Sequence, residues 1–250
     1  MINYLLVIFT CLMVTACASP IGLSSTTPAD YVLPPGAKIG FISKVSEHPV
    51  HLHQGATVFG NFEKDLNVSW HLNQFIFNCL SESLKNQYGY ELIDLSEHPN
   101  AENILASENL FYQEGDSFVI SSVELMTQLK SIGHTDLDAL ILVQSNKIFH
   151  NVNLERIKPS LGRQGDHGIA SGQPYVEGVV YRSSLGLTSI TIRPKIHYST
   201  WKYIGMFNEL VEPQPNNSED LSPYELSQYE KEVKNNIEVK IAEFVRDLPG

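Results

Sequence analysis

The segment Leu137 to Val143, reading LDALILV, is the most apolar strand candidate in the chain, and it constrains the fold more than any other stretch. A short run with nearly continuous branched aliphatic residues has no polar face to give to water, so it must be covered on both sides. That places it centrally in a sheet with layers packed above and below. Amphipathic segments on either side supply those layers. Lys38 to Val45 alternates Ile39 and Phe41 with other positions and reads as a strand. Val68, Leu72, Phe75, Ile76, Cys79, Leu84 and Tyr88 recur mostly at intervals of three and four, which predicts a helix stopped by Gly89. Tyr90 to Leu95 follows as a short strand. Ser121 and Glu124 form a capping-box pattern ahead of Val123, Leu125, Met126, Leu129 and Ile132, predicting a second helix closed by Gly133.

The last hundred residues are richer in β-formers. Val176 to Leu185 and Thr188 to Ser199, separated by Gly186, suggest an antiparallel hairpin, with Pro194 implying an edge or a bulge. Ser222, Pro223 and Glu225 mark a helix start, after which Leu226, Tyr229, Val233, Ile237, Ile241 and Phe244 trace one apolar stripe. The expected architecture is therefore α/β (mixed α+β): a central mixed sheet with flanking helices and a C-terminal helix. The segments Glu97 to Ile120 and Asn146 to Tyr175 read as long connections.

The N-terminus obeys a different logic. The first sixteen residues carry no charged side chain, and Tyr4 to Val14 form an apolar run of eleven. A membrane-spanning helix needs about 20 apolar residues, so the run reads as an export signal. It ends in Val14-Thr15-Ala16-Cys17, which resembles the lipobox of bacterial lipoproteins. That resemblance implies transfer of a diacylglycerol, with palmitate-type chains, to the Cys17 thiol, then cleavage before Cys17, and, with Ala18 rather than Asp at the next position, an outer-membrane address. The n-region lacks Lys and Arg, and Cys11 lies inside the run. The expected organisation is a signal peptide at 1–16, a lipidated Cys17 with a flexible tether to 36, and a single periplasmic α/β domain at 37–250.

The tether, Ala18 to Pro35, is rich in Ser, Thr and Pro and would hold the domain about 20–25 Å from the lipid if fully flexible. Of the three cysteines, only Cys79 would remain unmodified in the mature chain, so no intramolecular disulfide is expected. Cys79 lacks an adjacent Lys, Arg or His and reads as a small buried hydrophobe.

The strand and helix order from Ala37 onward resembles the small periplasmic α/β domains of outer-membrane lipoproteins. These include the activators of cell-wall synthases, the curli-secretion lipoprotein and the N-terminal domain of the Tol-Pal protein TolB. The resemblance implies a non-catalytic binding or assembly module in the cell envelope, held to the membrane by its N-terminal lipid and docking on an envelope protein. The chain has 17 Lys+Arg against 28 Asp+Glu, a formal charge of -11, with no dense basic stripe, so nucleic acid is not an expected partner.

Motifs for catalysis are sparse: no GxSxG elbow, Walker A loop, HExxH or CxxC pair occurs. Gly115-Asp116-Ser117-Phe118 has the start of a GDS-type esterase signature without its downstream base. No cofactor is expected. Nine histidines are the one enriched chemistry, and His48, His51 and His53 fall within six positions. If 50–53 is extended, His51 and His53 point to one side, where two imidazoles could share zinc or copper, with Glu47 or His71 as a further ligand. A solvated polar loop is the competing expectation. The alternative function is accordingly a periplasm-facing metal-dependent hydrolase using the His48/His51/His53 cluster. Gly162 to Gly168, with Gly172, suggests a mobile loop that could present Arg163, Asp166 and His167 to a ligand or partner, with a merely disordered connection as the favoured expectation.

Overall fold

The computed structural model describes residues 32–54, 60–107, 110–114, 117–145, 167–172, 175–183, 185–193, 196–204 and 221–248. The signal segment, Cys17, the tether up to residue 31, Arg163 and Asp166 lie outside the described residues.

The described chain is an α/β fold built on a five-stranded mixed sheet in the order β11-β10-β7-β1-β4. Here β1 is Lys38–Ser43, β4 is Glu91–Asp94, β7 is Ala139–Ser145, β10 is Leu185–Thr191 and β11 is His197–Tyr203. β1 pairs in parallel with both β4 and β7, whereas β10 runs antiparallel to both β7 and β11. β7 sits at the middle of the sheet, as its apolar run requires. Alternate residues feed two cores: Ala139, Ile141 and Val143 join one hydrophobic cluster, and Leu140 and Leu142 join the other.

Helices close both faces. Helix α1 (Leu72–Tyr88) buries Leu72, Ile76, Leu80 and Leu84, a stripe at four-residue spacing. It ends at Gly89, whose φ of 71° turns the chain left-handed while its N–H bonds Lys85 O at 3.0 Å. Helix α4 (Pro223–Arg246) packs beside it, burying Tyr229, Val233, Ile237, Ile241 and Phe244 in the same cluster. Lys202 on β11 reaches Glu243 of α4 at 2.8 Å, and Tyr88 Oη donates to Val245 O at 3.1 Å. On the opposite face, α2 (Ala101–Ala106) and α3 (Ser122–Ser131) cover the second cluster through Ile104, Leu125 and Leu129.

Several expectations need correction. Helix α1 starts at Leu72 rather than Val68, because His71 adopts φ 50° and interrupts the helical path. The segment Glu97 to Ile120 is not a bare connection: it carries α2 and a hairpin of β5 (Phe111–Glu114) and β6 (Ser117–Ile120). The capping box of α3 is half formed. Ser121 Oγ accepts from Glu124 N, but the Glu124 carboxylate turns instead to Ser107 and Gln128. The C-terminal hairpin is also redistributed. β9 (Tyr175–Ser183) pairs with β8 (His167–Gly172), while β10 pairs with β11, so Gly186 lies inside a strand.

A second sheet, in the order β3-β2-β8-β9, grows from the first. β2 is Val50–Gln54 and β3 is Phe62–Asp65. β1 and β7 pair in parallel up to Ser43 and Val143, and Lys44 N still bonds Val143 O. After 44–49 on one strand and a longer insertion on the other, β2 and β8 resume parallel pairing at Val50 and Gly168. Across from them, β9 and β10 are separated by one residue, so the chain runs from one sheet directly into the other. The four-stranded sheet thus prolongs the five-stranded one beyond the carboxyl ends of β1 and β7.

Candidate functional site

That location has a topological meaning. From β1 the chain reaches β4 on one side, then crosses back through α3 to β7 on the other, so the ends of β1 and β7 flank a switch point. In open α/β sheets such crevices collect ligand sites. Here the first turn of α1 is tied to the end of β1. Ser43 Oγ donates to Asn73 Oδ1 at 2.6 Å, and the Asn73 amide bonds both N and O of Val45.

Beyond this point β2 extends as expected, and its alternation turns His51 and His53 to the same face. His53 is the register partner of Ser171 on β8 and of Phe62 on β3. The result is a compact polar group. Ser171 Oγ lies 2.9 Å from His51 Nε2 and 2.9 Å from His53 Nδ1. Phe62 stacks on His53 with ring centroids 5.1 Å apart and meets His51 edge to face at 4.9 Å. All three polar residues are buried, His51 most deeply at 1% exposure. Burial, with smaller contributions from the charges of His53 and Lys64, lowers the His51 pKa to about 4. His51 is therefore a neutral imidazole at physiological pH.

The expected three-histidine cluster divides in two. His48 leaves the pair and bonds Val68 O through Nδ1 at 2.9 Å. Glu47 and His71 meet each other elsewhere, 3.7 Å apart, with Ser69 Oγ donating to the Glu47 carboxylate. Among the described residues, no group of three or more His, Cys, Asp or Glu side chains is placed to hold a metal ion. His51 and His53 supply two donors, whereas catalytic zinc sites use three protein ligands.

His167 also departs from expectation. It is the first residue of β8, fully buried, not a contact carried by a mobile loop. Its Nε2 meets Ser46 O at 2.8 Å and its ring lies against Trp70. Cys79 is half-buried against the core, and burial pushes its thiol up to about 11, which agrees with an inert small hydrophobe. Ser171 is the residue sequence reasoning missed. It stands 118 positions from His53 in a Gly-rich stretch, and only the pairing of β2 with β8 joins them.

No family model matches the chain, and no curated protein or solved structure is significantly similar to it.

Proposed function

We propose that the protein is an outer-membrane lipoprotein, anchored through Cys17, that serves as a binding or assembly module in the cell envelope. The observation that carries this reading is Val14-Thr15-Ala16-Cys17 at the end of an uncharged apolar run too short to span a bilayer. Among the described residues no helix is long and apolar enough to cross a membrane. Acylation by two or more chains gives stable anchoring and confines the search for a partner to a thin layer, so docking needs no turnover. The test is metabolic labelling with a palmitate analogue, followed by cross-linking in intact envelopes. Label on Cys17 that is lost in Cys17→Ala, together with a defined cross-linked partner, supports the reading. An unlabelled chain, or cross-links that recover only the protein itself, overturns it.

A second reading, a periplasm-facing hydrolase at the histidine cluster, is favoured by one observation: two of the three histidines converge on a serine hydroxyl. Its metal-dependent form would draw its ligands from His51 and His53. Failure of the protein to bind stoichiometric zinc or copper removes that form.

A further inference from the structure

We infer that Ser171 is a nucleophile toward carboxylic esters, with His53 as its base and His51 as a donor to its oxygen. This shares its residues with the hydrolase reading but needs no metal, and it is independent of the docking role.

The direction of the protons follows from the hydrogen bonds. A serine hydroxyl has one proton to give and two lone pairs to receive. With imidazole nitrogens 2.9 Å away on both sides, one ring accepts from Oγ and the other donates to it. His51 Nδ1 is buried and has no hydrogen-bond partner among the described residues. If His51 accepted from Ser171, its Nδ1 would carry the proton and a buried N–H would be stranded. If instead His51 donates through Nε2–H, only a lone pair is stranded, which is the less costly fault. The network therefore assigns the order His51 Nε2–H to Ser171 Oγ–H to His53 Nδ1.

That order supplies what a nucleophilic serine requires first, a base with a lone pair ready to take its proton, while the His51 N–H holds the hydroxyl in that orientation. The backbone adds a second, independent feature. Between Ala170, paired with Val180, and Gly172, paired with Tyr175, the register of β8 against β9 shifts, so Ser171 has no partner on β9. Gly172 then turns left-handed at φ 84°. Irregularities of this kind re-aim side chains and concentrate beside active sites. Ser171 and His53 are also the less deeply buried members, at 7% and 8% exposure.

In the reaction, Ser171 Oγ bonds to the acyl carbon as its proton passes to His53 Nδ1. The alkoxide leaves with that proton as an alcohol, giving an acyl-serine. Water then adds to the acyl carbon and gives a proton to His53. Collapse releases the carboxylic acid and returns the proton to Ser171.

The experiment treats the purified full chain in detergent with a fluorophosphonate and reads the adduct by peptide mass spectrometry. The expected result is one adduct on Ser171, absent in Ser171→Ala and formed at least ten-fold more slowly in His53→Gln. Ser171→Thr keeps the hydroxyl in the strand while placing a methyl beside it. It is expected to retain the native circular dichroism spectrum and to label at least ten-fold more slowly. No adduct on the wild-type chain after hours at millimolar probe, or equal labelling of Ser171→Thr, overturns the inference. Because labelling is read without an envelope partner, its failure leaves the docking role standing.

Discussion

The backbone of Val50 lies so close to Gly168 that a Cβ built on the glycine would stand 1.9 Å from the Val50 carbonyl oxygen and 2.6 Å from its nitrogen. These residues begin the parallel pairing of β2 with β8, the pairing that brings His51 and His53 to Ser171. Strand backbone cannot yield as a side-chain tip can. Gly168→Ala is expected to destabilise the protein by about 3 kcal/mol or more, the upper range for overpacking. Gly40→Ala is the control. Its Cβ would come within 2.8–3.0 Å of methyl groups of Leu137, Leu140 and Leu95, which can rotate away, so a loss of about 1–2 kcal/mol is expected. Urea midpoints of the two variants check the order, and equal midpoints would refute it.

The second prediction concerns acid. Burial holds the His51 pKa at about 4, below the ordinary histidine value near 6.5 that it regains on unfolding. Between those values the unfolded chain binds the additional proton. Stability therefore falls as pH drops from about 6.5 to 4 and flattens below that, by about 3 kcal/mol. His51→Gln can keep a hydrogen bond to Ser171 without titrating. It should remove this part of the pH dependence, as read from urea midpoints at pH 7.5 and pH 4. An unchanged acid slope in the variant would count against the buried, neutral state of His51.

Which parts of the fold the chain declares in advance follows from local periodicity. The order strand, helix, strand, helix, strand and final helix corresponds to β1, α1, β4, α3, β7 and α4, whereas the hairpin expected of 176–185 with 188–199 is replaced by the pairings β8–β9 and β10–β11. Strands β2, β3 and β8 of the second sheet are silent by comparison, because they carry His, Glu, Lys and Gly in place of an apolar run. The same holds for the candidate site. The alternation of His51 and His53 was visible, whereas the contact with Ser171 depends on register between strands more than a hundred residues apart. The separation of His48 was equally hidden, since its imidazole is drawn away by the Val68 carbonyl.

A third prediction addresses strain. His71 is the one described residue other than glycine with positive φ, at 50°, and its side chain makes no capping hydrogen bond to α1. For an ordinary L-residue the left-handed region costs roughly 1–2 kcal/mol. The contacts of the His71 ring with Ser69 and Glu47 are exposed to solvent and repay little of this. His71→Gly is expected to raise stability by about 0.5–1 kcal/mol, after the additional entropy of glycine in the unfolded chain is offset. Thermal unfolding checks it, and a lower melting temperature would show that the Glu47–Ser69–His71 contacts matter more than their exposure implies.

The last prediction tests the start of α4, which covers one core together with α1. Ser222 and Glu225 cap it reciprocally: Ser222 Oγ accepts from Glu225 N at 3.3 Å, and the Glu225 carboxylate accepts from Ser222 N at 2.7 Å. Both helix-end donors are thereby satisfied just ahead of Tyr229 and Val233, the first residues buried by the helix. Ser222→Ala is expected to cost about 1 kcal/mol at neutral pH. The hydrogen bonds from the Ser222 side chain and then its backbone hold the Glu225 carboxyl below the usual carboxylate range. A carboxyl shifted downward contributes stability above its unfolded pKa and loses it as pH falls through the folded value. The difference between wild type and Ser222→Ala should therefore shrink in acid, below the ordinary range of glutamate. Chemical denaturation of both proteins at pH 7 and pH 3 measures it. A difference that stays constant between those two conditions would mean that the serine acts through its own hydroxyl alone, with no contribution from the Glu225 charge.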